Sequence, residues 1–221
     1  MKLPGVRSWS DDPLWGTFYD WTVEHENVGR ALWAVGIQSD LRRLYAAADE
    51  IGRQPEGARV VDVPCGGGVA LRGLHPDQGV DYVAADISRK MLDRTARVAA
   101  GHGVADQVTT RIADVEALPF EDRTVDLVVS FTGLHCFPDP ALAVVEMVRV
   151  LKVGGVISGS AILNDTGLRY EPMRRAGRLA GLLGPGCTSD QVQRWLARQG
   201  IGDVTLDVSG AMAYFRGVRR A

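Results

Sequence analysis

Val60-Val61-Asp62-Val63-Pro64-Cys65-Gly66-Gly67-Gly68 is the stretch that decides how this chain folds. Its valines favour an extended backbone, so residues 59–63 read as a short strand. The strand delivers one acidic residue, Asp62, and breaks at three consecutive glycines. Glycine there lets backbone N–H groups come close to a ligand, and a helix start beyond it favours an anionic group. Outward from this turn the chain alternates strand and helix. Residues 80–85 form a second strand ending at Asp86, and Ser88 is placed to cap a helix through Ala100 that Gly101 closes. Residues 107–113 form a third strand ending at Asp114. Residues 125–130 are almost wholly apolar, as a strand buried on both faces requires. An amphipathic helix over 141–151 is stopped by Gly154-Gly155, and a fifth strand covers 156–163. A basic helical stretch over 173–183, a Gly-Pro-Gly break, a helix capped by Thr188 or Ser189, and a hairpin of 203–208 with 211–218 complete the pattern. Repeated β-α-β predicts an α/β fold: a doubly wound, mostly parallel seven-stranded sheet ending in an antiparallel hairpin. Ligands of such sheets sit outside the carboxyl ends of the strands, where Gly66, Asp86, Asp114 and Ser130 fall.

Composition narrows the function. The chain of 221 residues carries 25 basic and 27 acidic side chains, a net charge of −2 that argues against nucleic acid as partner. Of the basic residues 22 are Arg and 3 are Lys, which reads as a coding bias. Cys65, Cys136 and Cys187 are too few and too scattered for a disulfide framework or a zinc site. The N-terminus lacks the apolar segment of a signal peptide, and no run approaches the ~20 apolar residues of a membrane span. A cytoplasmic protein is expected. Residues 1–55 hold Trp9, Trp15, Trp21 and Trp33 and a helical pattern over 28–51, read as an N-terminal helical cap on the binding domain of 56–221.

Asp86 lies 20 residues after Gly66, at the end of the second strand, where a carboxylate accepts hydrogen bonds from ribose hydroxyls. Asp114 is placed to meet an adenine amino group. The three strand ends describe a pocket for an adenosine ligand with a charged tail. A nicotinamide fingerprint needs a third glycine where Leu71 stands, and no Gly-Lys-Ser/Thr of a phosphate-binding loop occurs. Asp62 would repel a pyrophosphate and suits a cation, such as a ligand bearing an amino group and a sulfonium.

These residues resemble the class I S-adenosylmethionine-dependent methyltransferases, of the small-molecule type related to the ubiquinone/menaquinone methyltransferases. The resemblance is strong over about residues 58–160. Asp62, Pro64, Gly66 and Gly68 match a first motif D-x-G-x-G-x-G, and Asp86 to Leu92, DISRKML, is similar to its ribose-binding stretch. Ala113 to Phe120, ADVEALPF, resembles the adenine-contact stretch. Val125 to Pro140 resembles the fourth strand and its loop, and Arg149 to Gly155 the segment before the fifth strand. The resemblance implies S-adenosylmethionine as cofactor, held by Asp62, Pro64, Cys65, Gly66, Gly68, Asp86, Ile87, Met91, Asp114, Val115, Ser130 and Phe131. Pro64 departs from the family's usual glycine. His135 after the fourth strand is a candidate general base, and Tyr19 a candidate cap residue over the reacting groups. No metal is expected, and the partner is a small, partly apolar methyl acceptor of a monomer or homodimer. Two other readings stand beside this one: a non-catalytic S-adenosylmethionine-binding sensor or scaffold, and a nicotinamide-dependent oxidoreductase.

Overall fold

The computed structural model describes residues 37–221. Seven strands form one sheet: β1 (Arg59–Asp62), β2 (Asp81–Asp86), β3 (Val108–Ile112), β4 (Val125–Phe131), β5 (Leu151–Ile162), β6 (Ile201–Ser209) and β7 (Met212–Arg219). Their order across the sheet is β3-β2-β1-β4-β5-β7-β6. The first five are parallel, and β7 runs antiparallel to both β5 and β6. The order reverses between β1 and β4, so a crevice opens beyond their carboxyl ends. Val63 extends that junction by donating its N–H to the Val129 carbonyl at 2.9 Å.

Helices cover both faces: α1 (Leu41–Gly52), α2 (Arg89–Gly101), α3 (Pro140–Val150), α4 (Glu171–Leu179) and α5 (Ser189–Arg198). Strand alternation divides the core. Val60, Tyr82, Ala84, Leu127 and Val129 pack with Leu44, Ile51 and Leu92 of α1 and α2. Val61, Val83, Val128 and Ile157 face Val144, Met147 and Leu196 of α3 and α5. Each buried Val, Leu, Ile or Met side chain among them contributes roughly 1.5–3 kcal/mol of hydrophobic stabilisation. α1 is thus part of the sheet's own core. Of the helical pattern over 28–51, residues 41–51 lie in α1, which Asp40 caps by accepting the Arg42 N–H at 3.0 Å, and residues 28–36 lie outside the described residues.

The helix after the glycine turn is short, Val69–Gly73, and is a 3-10 segment. Two expectations are corrected. Gly154 and Gly155 do not stop α3: it ends at Val150 and β5 begins at Leu151. The pairing of β4 with β5 shifts between Val125 and Leu127, and Gly154, with φ +83°, takes up the irregularity. The basic helix is shorter than the pattern, ending at Leu179. Thr188 does cap α5, in a capping box with Gln191. Among the described residues no helix is long and apolar enough to cross a membrane.

Candidate active site

β1 ends by pushing Asp62 into the core, where it is 1% exposed and accepts a hydrogen bond from the Tyr82 hydroxyl at 2.7 Å. Burial raises its pKa to about 8, against the pull of the Tyr82 bond and with added repulsion from Asp86. The Val63–Pro64 peptide that follows is cis. Pro64 packs against the loop after β4: a Cβ on Gly133 would stand 2.6 Å from Pro64 Cδ and 2.6 Å from Ser130 Oγ. Cys65 returns to the sheet by donating its N–H to the Ala85 carbonyl at 2.9 Å, and burial holds its thiol well above the ordinary range. Gly66 and Gly68 have φ of +50° and +90°, so the sequence's glycines answer a real backbone demand. No atom lies within 4 Å of where a Gly66 Cβ would project, so open space borders the loop at that point.

Asp86, at the end of β2, is the loop's partner. Its Oδ2 accepts the Gly66 N–H at 3.0 Å and its Oδ1 accepts the Ser88 N–H at 2.9 Å. Burial raises its pKa, opposed by the N–H groups of Ser88, Gly66 and Ile87. The Gly66 N–H was expected to face a ligand; it faces Asp86. Ser88 does not cap α2 with its side chain. Its hydroxyl and that of Ser130 are buried without a hydrogen-bond partner among the described residues. Buried polar atoms left so are costly, and they mark where a bound group would complete the bonding. The crevice therefore brings together two buried carboxylates, orphan hydroxyls near the end of β4 and at the start of α2, and a glycine loop beside open space. That set fits a cationic nucleoside and not a pyrophosphate.

Comparison with known proteins agrees. Residues 61–158 match the family described as methyltransferase domain. The chain is 36% identical over 132 residues to an uncharacterized chloroplastic methyltransferase of Arabidopsis thaliana, a match covering 58% of this chain and 36% of that protein. It is 39% identical over 116 residues to the ubiquinone/menaquinone biosynthesis C-methyltransferase of Geobacter sulfurreducens, covering 52% of this chain and 45% of that one. The matches thus span less than half the length of these curated relatives. In fold, the chain is similar to the phosphoethanolamine N-methyltransferase 2 of Haemonchus contortus solved with S-adenosyl-L-methionine. The TM-score is 0.76 at 15% identity, covering 98% of this chain and 61% of that one.

The remaining candidate residues differ in burial and bonding. Ile87 is 53% exposed beside Asp86, an apolar surface next to the carboxylate, whereas Met91, Val115 and Phe131 are buried. Asp114 lies in the open two residues beyond β3, where its carboxylate accepts the Glu116 N–H at 2.9 Å. His135 is buried, and its Nδ1 accepts the Ile162 N–H at 3.0 Å. That bond puts the ring proton on Nε2, and burial lowers the pKa to about 4. In this arrangement the His135 ring is neutral, its Nδ1 is occupied, and Nε2 is a donor. Tyr19 lies outside the described residues. Arg174, Arg175 and Arg178 of the basic cluster all pair with Glu171, and Arg174 is buried, donating to the Leu163 and Gly167 carbonyls. Tyr82 and Thr95 are site residues that the sequence did not disclose. Each is one polar side chain inside an apolar strand or helix pattern, with no motif to mark it.

Proposed function

We propose that the chain transfers the methyl group of S-adenosylmethionine to an O, C or N atom of a small, partly apolar organic acceptor. The observation that carries this reading is the pair of buried carboxylates, Asp62 and Asp86, flanking a positive-φ glycine loop with open space beside Gly66. In this reading Asp86 takes the ribose hydroxyls with the lone pairs that Gly66 and Ser88 leave. Asp114 meets the adenine amino group, Ile87 lies along the base, and Asp62 supplies negative charge toward the cationic end. Ser88 and Ser130 gain partners for their hydroxyls. Pro64, Cys65, Gly66 and Gly68 shape the loop.

The cofactor supplies an already activated methyl on sulfur, so transfer needs alignment and dry surroundings more than acid–base help. Phe131 and Leu134 keep water from the carboxyl end of β4. His135 holds the β4 loop to β5 through the Ile162 N–H and stays neutral across physiological pH. A substrate that keeps its proton at neutral pH would find no base in His135, which favours acceptors that ionise readily or carry a free lone pair. The nicotinamide reading is not favoured: Leu71, where its third glycine belongs, is fully buried under the loop.

Calorimetric titration with S-adenosylmethionine and S-adenosylhomocysteine, beside an Asp86→Ala variant, tests the cofactor site. Micromolar binding that the variant loses is expected. Folded protein that binds neither ligand overturns the reading. Appearance of methylated product in an extract of small apolar metabolites tests the acceptor class.

A further inference from the structure

Gly66 is gripped on both sides by side chains from different elements. Its N–H donates to Asp86 Oδ2 at 3.0 Å, and its carbonyl accepts from Thr95 Oγ1 at 2.8 Å. Thr95 sits on α2, fully buried. Its Cα lies 3.3 Å from where a Gly68 Cβ would stand, so helix and loop are in close packing as well as bonded. The hydroxyl has one proton. Cys65 Sγ is 3.5 Å away, the Gly66 carbonyl 2.8 Å, so the carbonyl takes it.

We propose that Thr95 is a positioning residue of the cofactor site. By fixing the Gly66 carbonyl it orients the Gly66 N–H, and that N–H sets the rotation of the Asp86 carboxylate toward the ribose. This rests on the cofactor reading above. The chain of contacts runs hydroxyl to carbonyl, through one peptide residue at φ +50°, to N–H and carboxylate. Without the hydroxyl the Gly66 carbonyl keeps only the weak Cys65 thiol donor at 3.7 Å. Gly66, as glycine, has neighbouring wells to turn into. The Asp86 carboxylate then keeps its Ser88 bond on one oxygen and loses direction on the other.

The test compares wild type with Thr95→Val, which keeps the shape and removes the donor, and Thr95→Ser, which keeps the donor. Ligands are S-adenosylhomocysteine and 5′-methylthioadenosine, which share the ribose and differ at the amino-acid end. Amide exchange at Gly66 is followed in the cofactor-free protein. Thr95→Val is expected to weaken both ligands about tenfold, the size of one hydrogen bond, with Thr95→Ser within about twofold of wild type. Its Gly66 amide is expected to exchange about tenfold faster while amides of β1 and β4 keep their protection. Wild-type affinity in Thr95→Val, no rescue by Thr95→Ser, or loss confined to S-adenosylhomocysteine overturns the proposal. If wild type binds neither ligand the cofactor reading fails by itself. An unchanged Gly66 amide in Thr95→Val then overturns the clamp independently.

Discussion

At the scale of single residues, the site is governed by a carboxylate kept from water. Asp62 is buried with Tyr82 as its donor and Asp86 as a second negative charge nearby, and its pKa of about 8 leaves it mostly protonated at pH 7. A cation arriving beside it favours the ionised form, so the proton must leave. Binding of S-adenosylmethionine at pH 7 is therefore expected to release close to one proton. Affinity should rise by about tenfold per pH unit below pH 8 and level off above it. Calorimetry in two buffers of different ionisation enthalpy, at pH 7 and pH 9, reads this directly. Equal heats in both buffers at pH 7 would contradict it. S-adenosylhomocysteine, without the sulfonium charge, is expected to release less. The acid at position 62 was legible in the sequence as a charge suited to a cation. Its protonation was not, because that depends first on burial, which the packing of neighbouring strands imposes, and only then on Tyr82 and Asp86.

At the scale of elements, the glycine loop and the loop after β4 are built against one another. A Cβ on Gly133 would fall 2.6 Å from Pro64 Cδ, 2.6 Å from Ser130 Oγ and 2.7 Å from Phe137 Cζ. Three contacts from three segments leave no single flexible side chain to give way. Gly133→Ala is expected to cost about 1–3 kcal/mol of stability, read as a fall in denaturant midpoint at unchanged slope. It should also weaken cofactor binding by displacing Pro64. A variant with unaltered midpoint would show the two loops to be independent. Elements also show where sequence reading succeeds and fails. β4 was legible because a strand buried on both faces reads as an almost wholly apolar run, here 125–130, interrupted only by Asp126 and Ser130. The α3–β5 junction was misread because two glycines are a common helix stop. Here they serve the irregular pairing of β4 with β5, a tertiary demand invisible to local pattern. The 3-10 form of the segment after the loop has a tertiary origin too. A Cβ on Gly73 would run into the Ala48 carbonyl, so the Val69–Gly73 segment is pressed directly onto α1.

At the scale of the whole molecule, opposing titrations set how stability follows pH. Glu50 joins α1 to β7, taking Arg216 through both oxygens at 2.9 and 3.0 Å and Arg53 at 3.0 Å. Burial raises its pKa, but the two arginines outweigh this and hold it below the usual range. A group with a depressed folded pKa stabilises above its unfolded value and loses that contribution as pH falls through the folded one. Asp62 runs the other way. Its folded pKa of about 8 lies far above the ordinary 3.8, so its penalty is absent in acid and grows as pH rises from about 4 to about 8. The fold accordingly carries a cost at neutral and alkaline pH that its binding site imposes. Asp62→Asn removes the charge and keeps an oxygen to accept from Tyr82. It is expected to raise stability modestly at pH 5, about one pH unit into that window, and by roughly a few kcal/mol more at pH 9, from the size of the shift. Denaturant unfolding at the two pH values measures the difference. The same variant should lose the proton release that accompanies cofactor binding, so stability gained and linkage lost would trace to one carboxyl group. A variant no more stable at pH 9 than at pH 5, relative to wild type, would mean that Asp62 is ionised at little cost, and the proton-release prediction would fall with it.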